Sequence, residues 1–521
     1  MTAMPTTANF ARILSTVCSI MGVLMMGLDA TIVNVALPHM QGSLSTSRDQ
    51  ITWVLTSYIV ASAVLTAPVG WIANRFGLKT VFIASLLGFV VTSVLCGVAQ
   101  NMPQMVIYRA LQGGVGAALL PLSLGILLAL YPPEKRGLMT AIWGMGLMLG
   151  PILGPTLGGI LTEYYDWRWC FYVNVPIGLA AVAGLWFFFH IDQHDKGLKF
   201  DWLGFGFAAL AIGAFQLMLD RGTDQDWFTS NEIIVEAILA GLGLYLFFVH
   251  MFTAQKPFIP KALFADRNFV LSALMMYAIN IVLLASITMM PPFLQNLAGR
   301  PVLQAGFLLA PRGFGVMAAM FAAGKLANAV DPRHIMSIGV ACILWSLWEM
   351  AHWTPSIDDS TFLFMTIVQG FGLGAVFAPL MAISFATLPQ SLHNDGSAFV
   401  SLIRNIAAAA GISAVTVITS NGTQTIHEEL TAFATPFSHA LDMGAASLLL
   451  NPHLPRGAAL LDGVLRGRAA FLAYGNAYLF LFYITLAMIP LIWLFRRPAY
   501  SMASSHPRAA AQPQETSRAA R

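Results

Sequence analysis

Charge is what this sequence has least of. Asp, Glu, Lys and Arg make up 10% of 521 residues, against roughly 25% in an ordinary soluble domain. So few charges cannot cover the surface of a soluble protein this large, which excludes a soluble enzyme. The 57% of apolar residues excludes a disordered chain. A net charge of +3 with no Lys/Arg-rich run gives no footprint for nucleic acid. The four cysteines, Cys18, Cys96, Cys170 and Cys342, are scattered, with no CxxC and no neighbouring His pair. Neither a disulfide scaffold nor a metal site is expected from them, and no cofactor is expected. No GxxxxGK[ST] loop is present, so ATP is not the direct fuel. No HExxH, no GxSxG and no acid pair within the apolar runs points to an enzyme embedded in a membrane.

What is abundant is apolar length. Runs long enough to span a bilayer fall at about 14–36, 51–73, 80–99, 104–130, 137–161, 171–189, 203–219 and 232–253. Six more follow at 268–296, 302–324, 334–351, 361–387, 396–420 and 470–495. Each is close to the ~20 residues a membrane helix needs. The first is too long for a signal-peptide core and lacks a small-residue cleavage site, so it reads as a retained span. The shortest, 203–219, is the least secure of the fourteen.

Loop charge supports this count. With the N-terminus inside, the inner segments and tail carry 17 Lys and Arg and the outer loops 7, the asymmetry that the positive-inside rule expects. The other three, Arg109, Arg312 and Arg404, fall inside spans. The expected organisation is all-α and integral to the membrane, with both termini cytoplasmic. It comprises a six-helix bundle at 1–190 and a linker with two extra membrane helices at 191–267. A second six-helix bundle follows at 268–497 with a long outer loop at 421–469, then a disordered cytoplasmic tail at 498–521. The outer loop reads as a loosely ordered lid or as a docking surface for a partner outside the membrane.

An internal repeat fits two similar halves. Gln112-Gly113-Gly114-Val115-Gly116-Ala117 recurs as Gln369-Gly370-Phe371-Gly372-Leu373-Gly374-Ala375, and a proline follows each, at Pro121 and Pro379. Parallel repeats with a site between them near mid-membrane are a secondary-transporter pattern.

At these residues the chain resembles the major facilitator superfamily, and within it the fourteen-helix drug:proton antiporters of the EmrB/QacA type. Leu28-Asp29-Ala30-Thr31-Ile32-Val33-Asn34-Val35-Ala36-Leu37-Pro38 is similar to that family's first-helix signature. The loop at Gly70, Asn74, Arg75, Gly77 and Lys79 resembles the superfamily's loop motif. Arg109, Gln112, Gly113 and Gly116 match its fourth-helix motif. Gly146, Gly150, Pro151, Gly154, Pro155, Gly158 and Gly159 cover the fifth-helix motif linked with antiporters. Trp167 to Gly178, with Asn174 inside it, resembles a further signature. Two positions depart: Asn74 stands where the family has Asp, and Leu78 where it has a basic residue. Asn74 can hydrogen-bond, but it supplies no negative charge.

The resemblance implies a proton-coupled exporter of amphipathic toxic compounds working by alternating access. It also implies a bacterial inner-membrane location, with a periplasmic adaptor (a membrane fusion protein) and an outer-membrane channel where a second membrane exists. A dedicated exporter of one metabolite or siderophore is the alternative, ahead of a membrane-embedded sensor or enzyme.

Single residues sharpen this. Asp29 is the one acid clearly deep in a span, where a charge is costly, which suits a proton carrier. Arg109 is its natural partner. Counting residues from the outer ends at 1.5 Å each places Arg109 roughly 9 Å and Asp29 roughly 12 Å deep. Gly146, Gly150, Gly154 and Gly158 recur every fourth residue and line one helix face, where small residues let a neighbour approach. Pro151 and Pro155 remove helix hydrogen bonds. Asn34, Tyr58, Gln112, Tyr277, Asn280, Gln369 and Arg404 are polar groups within spans and candidates for lining a substrate cavity. Arg312 faces either that cavity, attracting an anion, or another helix. Arg75, Lys79, Lys135 and Arg136 either latch the inner loops together or simply follow the topology rule.

Overall fold

The computed structural model describes residues 6–190, 197, 199–223, 225–255, 257, 259–326, 329–354, 357–433 and 454–496. A 38-residue helix, α1 (Thr6–Ser43), comes first. A capped turn, α2 (Arg48–Ile51), leads into α3 (Trp53–Thr66), and the chain then bends by 57° into α4 (Val69–Phe76). Pro68 stands at that break, where its missing N–H interrupts the helix ladder. Next come α5 (Leu78–Gly97), α6 (Met102–Gly116), α7 (Leu119–Leu130) and α8 (Pro133–Tyr164). The short α9 (Trp169–Tyr172) runs into α10 (Asn174–Phe188).

A helical hairpin follows, α11 (Trp202–Arg221) and α12 (Asn231–Thr253), then the turn α13 (Ala262–Ala265). The remaining helices are α14 (Arg267–Pro292), α15 (Val302–Leu326), α16 (Pro332–Ala351), α17 (Asp359–Ala386), α18 (His393–Phe433) and α19 (Pro455–Leu494). No strand occurs among the described residues.

Twelve helices among the described residues are long and apolar enough to cross a bilayer, and the α3–α4 pair makes thirteen. The 32-residue α8 covers the remaining run expected at 137–161. Side-chain carboxylates and amides mark several starts by accepting from the first free backbone N–H groups: Asn101 from Gln104, Asp266 from Phe269 and Asp331 from Arg333. Outside the spans, Asp358 caps α17, and the Ser360 hydroxyl and N–H hold its carboxyl below the usual range. Large side chains such as Phe252, Phe307, Phe314 and Tyr483 face outward, the pattern of a surface solvated by lipid.

The short run at 203–219 is a full helix, α11, and it packs closely on α12. An added Cβ at Gly243 would lie 2.7 Å from the Ala211 nitrogen. Both ends of this hairpin are tied. His250 Nε2 lies 2.9 Å from Asp201, and Arg221 pairs with Glu232 and stacks on Trp53. The hairpin also meets α3, where Thr56 donates to Asp220. Arg221, expected in an outer loop, is the last residue of α11.

The segment 421–469 corrects the sequence reading most. Its flanks are continuous helix, since α18 runs on to Phe433 and α19 begins at Pro455. Residues 434–453 lie outside the described residues, as do the tail 498–521 and most of 191–198. Helices of 41 and 40 residues are about 60 Å long, twice the ~30 Å hydrocarbon thickness. Gly422 packs on Ala473, and His427 Nε2 sits 2.8 Å from Asp462 Oδ1. The two helices therefore run on together as a paired extension beyond the length a bilayer needs, and along it polar side chains such as Gln424, Glu428 and Arg466 replace the apolar ones.

Candidate functional site

Asp29 is fully buried in α1, and three donors converge on its carboxylate. Arg109 Nη1 donates to Oδ2 at 2.7 Å. Gln112 Nε2 and Asn174 Nδ2 each donate to Oδ1 at 3.0 Å. Arg109 and Gln112 lie one helical turn apart on α6, so they reach the same point. Asn174 is the first residue of α10.

A further shell holds the donors. Arg109 Nη1 also donates to Gln112 Oε1 at 2.7 Å, and its Nε donates to the Val54 carbonyl at 3.0 Å. The guanidinium carbon lies 4.2 Å from the centre of the Tyr58 ring, within cation–π range. Ser93 accepts from Gln112 and Asn174 and donates to the Phe171 carbonyl at 2.9 Å. Both Asp29 oxygens are thus occupied by donors from α6 and α10. Helix movement that separates α1 from α6 or α10 would undo this arrangement.

The glycine face of α8 packs against the segment of α1 that carries Asp29. An added Cβ at Gly150 would lie 2.5–2.8 Å from backbone atoms of Gly27 and Leu28. At Gly154 it would collide with Thr31 Oγ1, and at Gly158 it would lie 2.9 Å from the Ile32 carbonyl. Gly146 meets Ile20 in the same way. The side chains of Pro151 and Pro155 lie outside the described residues.

The sequence candidates do not all gather here. Gln112 and Tyr58, expected to line a substrate cavity, belong to the Asp29 cluster instead. Asn34 is exposed and donates to Ala30 of its own helix. Tyr277 is half-buried. Asn280 and Gln369 are buried in the second half, with Asn280 Oδ1 and Gln369 Oε1 unpaired. Arg404 lies beside Tyr58 with its Nε buried and unpaired. Ser93 and Asn174 were not singled out from the sequence. For Asn174 the available signal was an amide deep in an apolar stretch; Ser93 gave none.

The repeat has a packing basis. An added Cβ at Gly113 would collide with the Tyr58 carbonyl, and one at Gly370 with the Arg312 carbonyl. The two glycines thus play the same part in the α3–α6 and α15–α17 pairs, and Arg312 occupies the place of Tyr58.

At the loop motif Asn74 hydrogen-bonds, and the carboxylate it meets belongs to α18. Asn74 Nδ2 lies 3.2 Å from both oxygens of Asp395, in the first turn of α18, and Asn394 donates to Asn74 Oδ1 at 2.7 Å. Gly70 lets Asp395 approach, since a Cβ there would lie 2.7 Å from the Asp395 Cα. At Gly77, φ is 92°, a left-handed conformation that favours glycine. The expected basic latch is different in kind: Lys79 donates to the Trp186 carbonyl, and Arg136 to carbonyls of Tyr131 and Leu128. Leu78 is buried in an apolar cluster with Phe82 and Ala398.

A charge exchange checks this latch. Asn74→Asp, which installs the residue common in the family, would set two carboxylates against each other at a cost of about 4 kcal/mol. Efflux at matched expression is expected to fall at least roughly tenfold, and Asn74→Asp with Asp395→Asn to recover most of it. No recovery in the exchange would show that the pair does not hold the two segments together.

A carboxylate and a guanidinium held by amides inside a bundle of helices long and apolar enough to cross a bilayer mark a multi-pass membrane protein with a charged centre in its interior. Comparison with known proteins agrees. The Major Facilitator Superfamily model matches residues 20–412, and the chain belongs to that superfamily. It is 34% identical over 430 residues to the multidrug export protein EmrB of Haemophilus influenzae, covering 82% of this chain and 84% of that protein. It is 30% identical to the fatty acid resistance protein FarB of Neisseria gonorrhoeae, covering 93% and 96%. Among solved structures, the proton:xylose symporter XylE superposes with a TM-score of 0.59 at 12% identity, covering 92% of this chain and 96% of that one.

Proposed function

We propose that this chain is a proton-coupled exporter of amphipathic, toxic small molecules, seated in the bacterial inner membrane with both termini in the cytoplasm. The observation that carries the reading is the Asp29 carboxylate with three donors on two other helices. In alternating access, 1–190 and 268–497 rock about the site between them, and 191–267 rides with the first unit through the contacts of α11 on α3. When the rocking is coupled to a shift of α1 against α6 and α10 within the first unit, Asp29 loses its donors and takes a proton from the outer side. When the donors return, the proton leaves to the inner side. Substrate moves outward in exchange, bound in the state that Asp29 protonation disfavours.

The names of the EmrB relatives support export, and the amphipathic class rests on the family resemblance and on the apolar interior. The protruding arm of α18 and α19 suits docking of a periplasmic adaptor, which would pass cargo to an outer-membrane channel. Glu429 is exposed on that arm. On a Cys-free background, Glu429→Cys should react with an impermeant thiol reagent in cells with a permeabilised outer membrane, and Lys199→Cys should not. Labelling of Lys199→Cys alone would invert the topology. Accumulation of substrate in everted vesicles that collapses when the pH gradient is dissipated would support the coupling. Accumulation indifferent to that gradient would refute it.

A further inference from the structure

Arg312 lies in the middle of the second half, and no ion pair to it occurs among the described residues. It is 7% exposed. Its tenth place after the start of α15 puts it about 15 Å along that helix, half of a ~30 Å bilayer core. Its one side-chain hydrogen bond is a weak one to the Met290 sulfur, 3.6 Å away, and its Nη2 is buried and unpaired. No described carboxylate pairs with it. The groups around it are polar but neutral. Tyr478 lies within electrostatic reach with its hydroxyl buried and unpaired, and the Gln369 Oε1 on the neighbouring α17 is unpaired too. Arg404, eleven residues into α18 and so at similar depth from the other side, adds a second cation with no carboxylate partner among the described residues.

One helical turn further on, the same faces become wholly apolar. Val316 follows Arg312 by four residues and Leu373 follows Gln369 by four. With Ile279, Leu283, Met320 and Phe377 they line a small cavity of about 10 Å³. That is space for about one water molecule, so the chamber is closed in this conformation. All six lining residues belong to α14, α15 and α17, and α8 of the other half packs close beside them, since an added Cβ at Gly144 would collide with Met320 and lie 3.8 Å from Phe377. Movement of α8 away from α15 would open it.

An isolated guanidinium in the membrane interior is destabilising on its own. Guanidinium nevertheless matches planar or tetrahedral oxyanions with two parallel hydrogen bonds. Met and Phe walls adapt to varied apolar shapes.

From this juxtaposition we infer that the central site takes amphipathic anions, Arg312 receiving a carboxylate or sulfonate headgroup while the chamber between α14, α15, α17 and α8 receives the apolar body. The inference rests on the exporter reading and narrows it to a charge class. Arg312 is a ligand-binding residue here, distinct from the Asp29 cluster in the first half.

The test uses the purified full-length protein in nanodiscs and two probes of one shape and opposite charge, naphthalene-2-sulfonate and naphthyl-2-trimethylammonium. Equilibrium dialysis should show the sulfonate bound at least about tenfold more tightly by the wild type. Arg312→Gln should lose that preference, binding the sulfonate more weakly and the ammonium no more weakly than the wild type, while Arg312→Lys keeps part of it. Arg312→Met should raise Tm and still abolish sulfonate binding, since it removes an unpaired buried charge. A merely structural arginine would lower Tm when replaced. Sulfonate binding by Arg312→Gln equal to wild type, or no preference in the wild type, would overturn the inference. Transport of both probes under an imposed pH gradient separates the two levels. Export of the ammonium alone would sink the anion site and leave the exporter standing. Arg312-dependent sulfonate binding without export of either probe would do the reverse.

Discussion

Asp29→Asn is expected to reduce concentrative efflux to the level of protein-free liposomes, with the protein still inserted and folded. Asparagine fills the same space and can accept from Arg109, but it cannot release a proton. Arg109 would keep the Val54 carbonyl, the Gln112 oxygen and the Tyr58 ring, so the surrounding packing survives. Losing one partner of a buried ion pair costs about 3–5 kcal/mol when nothing replaces it, and the retained contacts hold the loss below that. Tm should therefore fall modestly while uphill transport disappears. Reconstituted protein under a fixed pH gradient provides the measurement, with equal amounts of wild type and variant. Accumulation by Asp29→Asn at the wild-type level would move proton coupling to another group.

Gly150→Ala should have the second largest effect. A methyl group at that position meets the Gly27 carbonyl carbon at 2.5 Å and the Leu28 nitrogen at 2.8 Å. These are backbone atoms inside a helix, so no side-chain rotation relieves the clash. Overpacking of this kind typically costs 1–3 kcal/mol, and a backbone collision belongs near the upper end. Because the strain falls two residues from Asp29, α1 must shift against α6 and α10, and the donors lose their alignment. Transport is expected to fall roughly tenfold or more at unchanged expression. Gly159→Ala is the matched control, since nothing lies within 4 Å of an added Cβ there. Equal activity of the two variants would show that the glycine face does not set the Asp29 geometry.

Much of this arrangement was legible in the residues. Apolar run length and loop charge marked the crossings, because a bilayer admits few alternatives. Asp29 and Arg109 stood out because charge is costly at that depth, and counting residues from the span ends put them at similar heights. The four-residue glycine period identified a packing face, although not that α1 would be the partner. Other features depend on distances between remote segments. Asn74 and Asp395 are 321 residues apart, and nothing in the loop itself signals that Asn74 meets a carboxylate on α18. Ser93 is an ordinary helix serine until Gln112 and Asn174 converge on it. The helical arm was hidden because polar residues at 421–433 and 455–469 read as loop, whereas two long helices that hold each other beyond the length a bilayer needs require no apolar surface toward lipid there.

The central claim is that one proton on Asp29 exchanges with substrate. Substrate-induced proton release from purified protein in weakly buffered solution tests it most directly. Starting where Asp29 is protonated in the unliganded protein, wild type is predicted to release about one proton per chain on substrate binding, and Asp29→Asn to release none while still binding. Release of the same amount by Asp29→Asn would contradict the account.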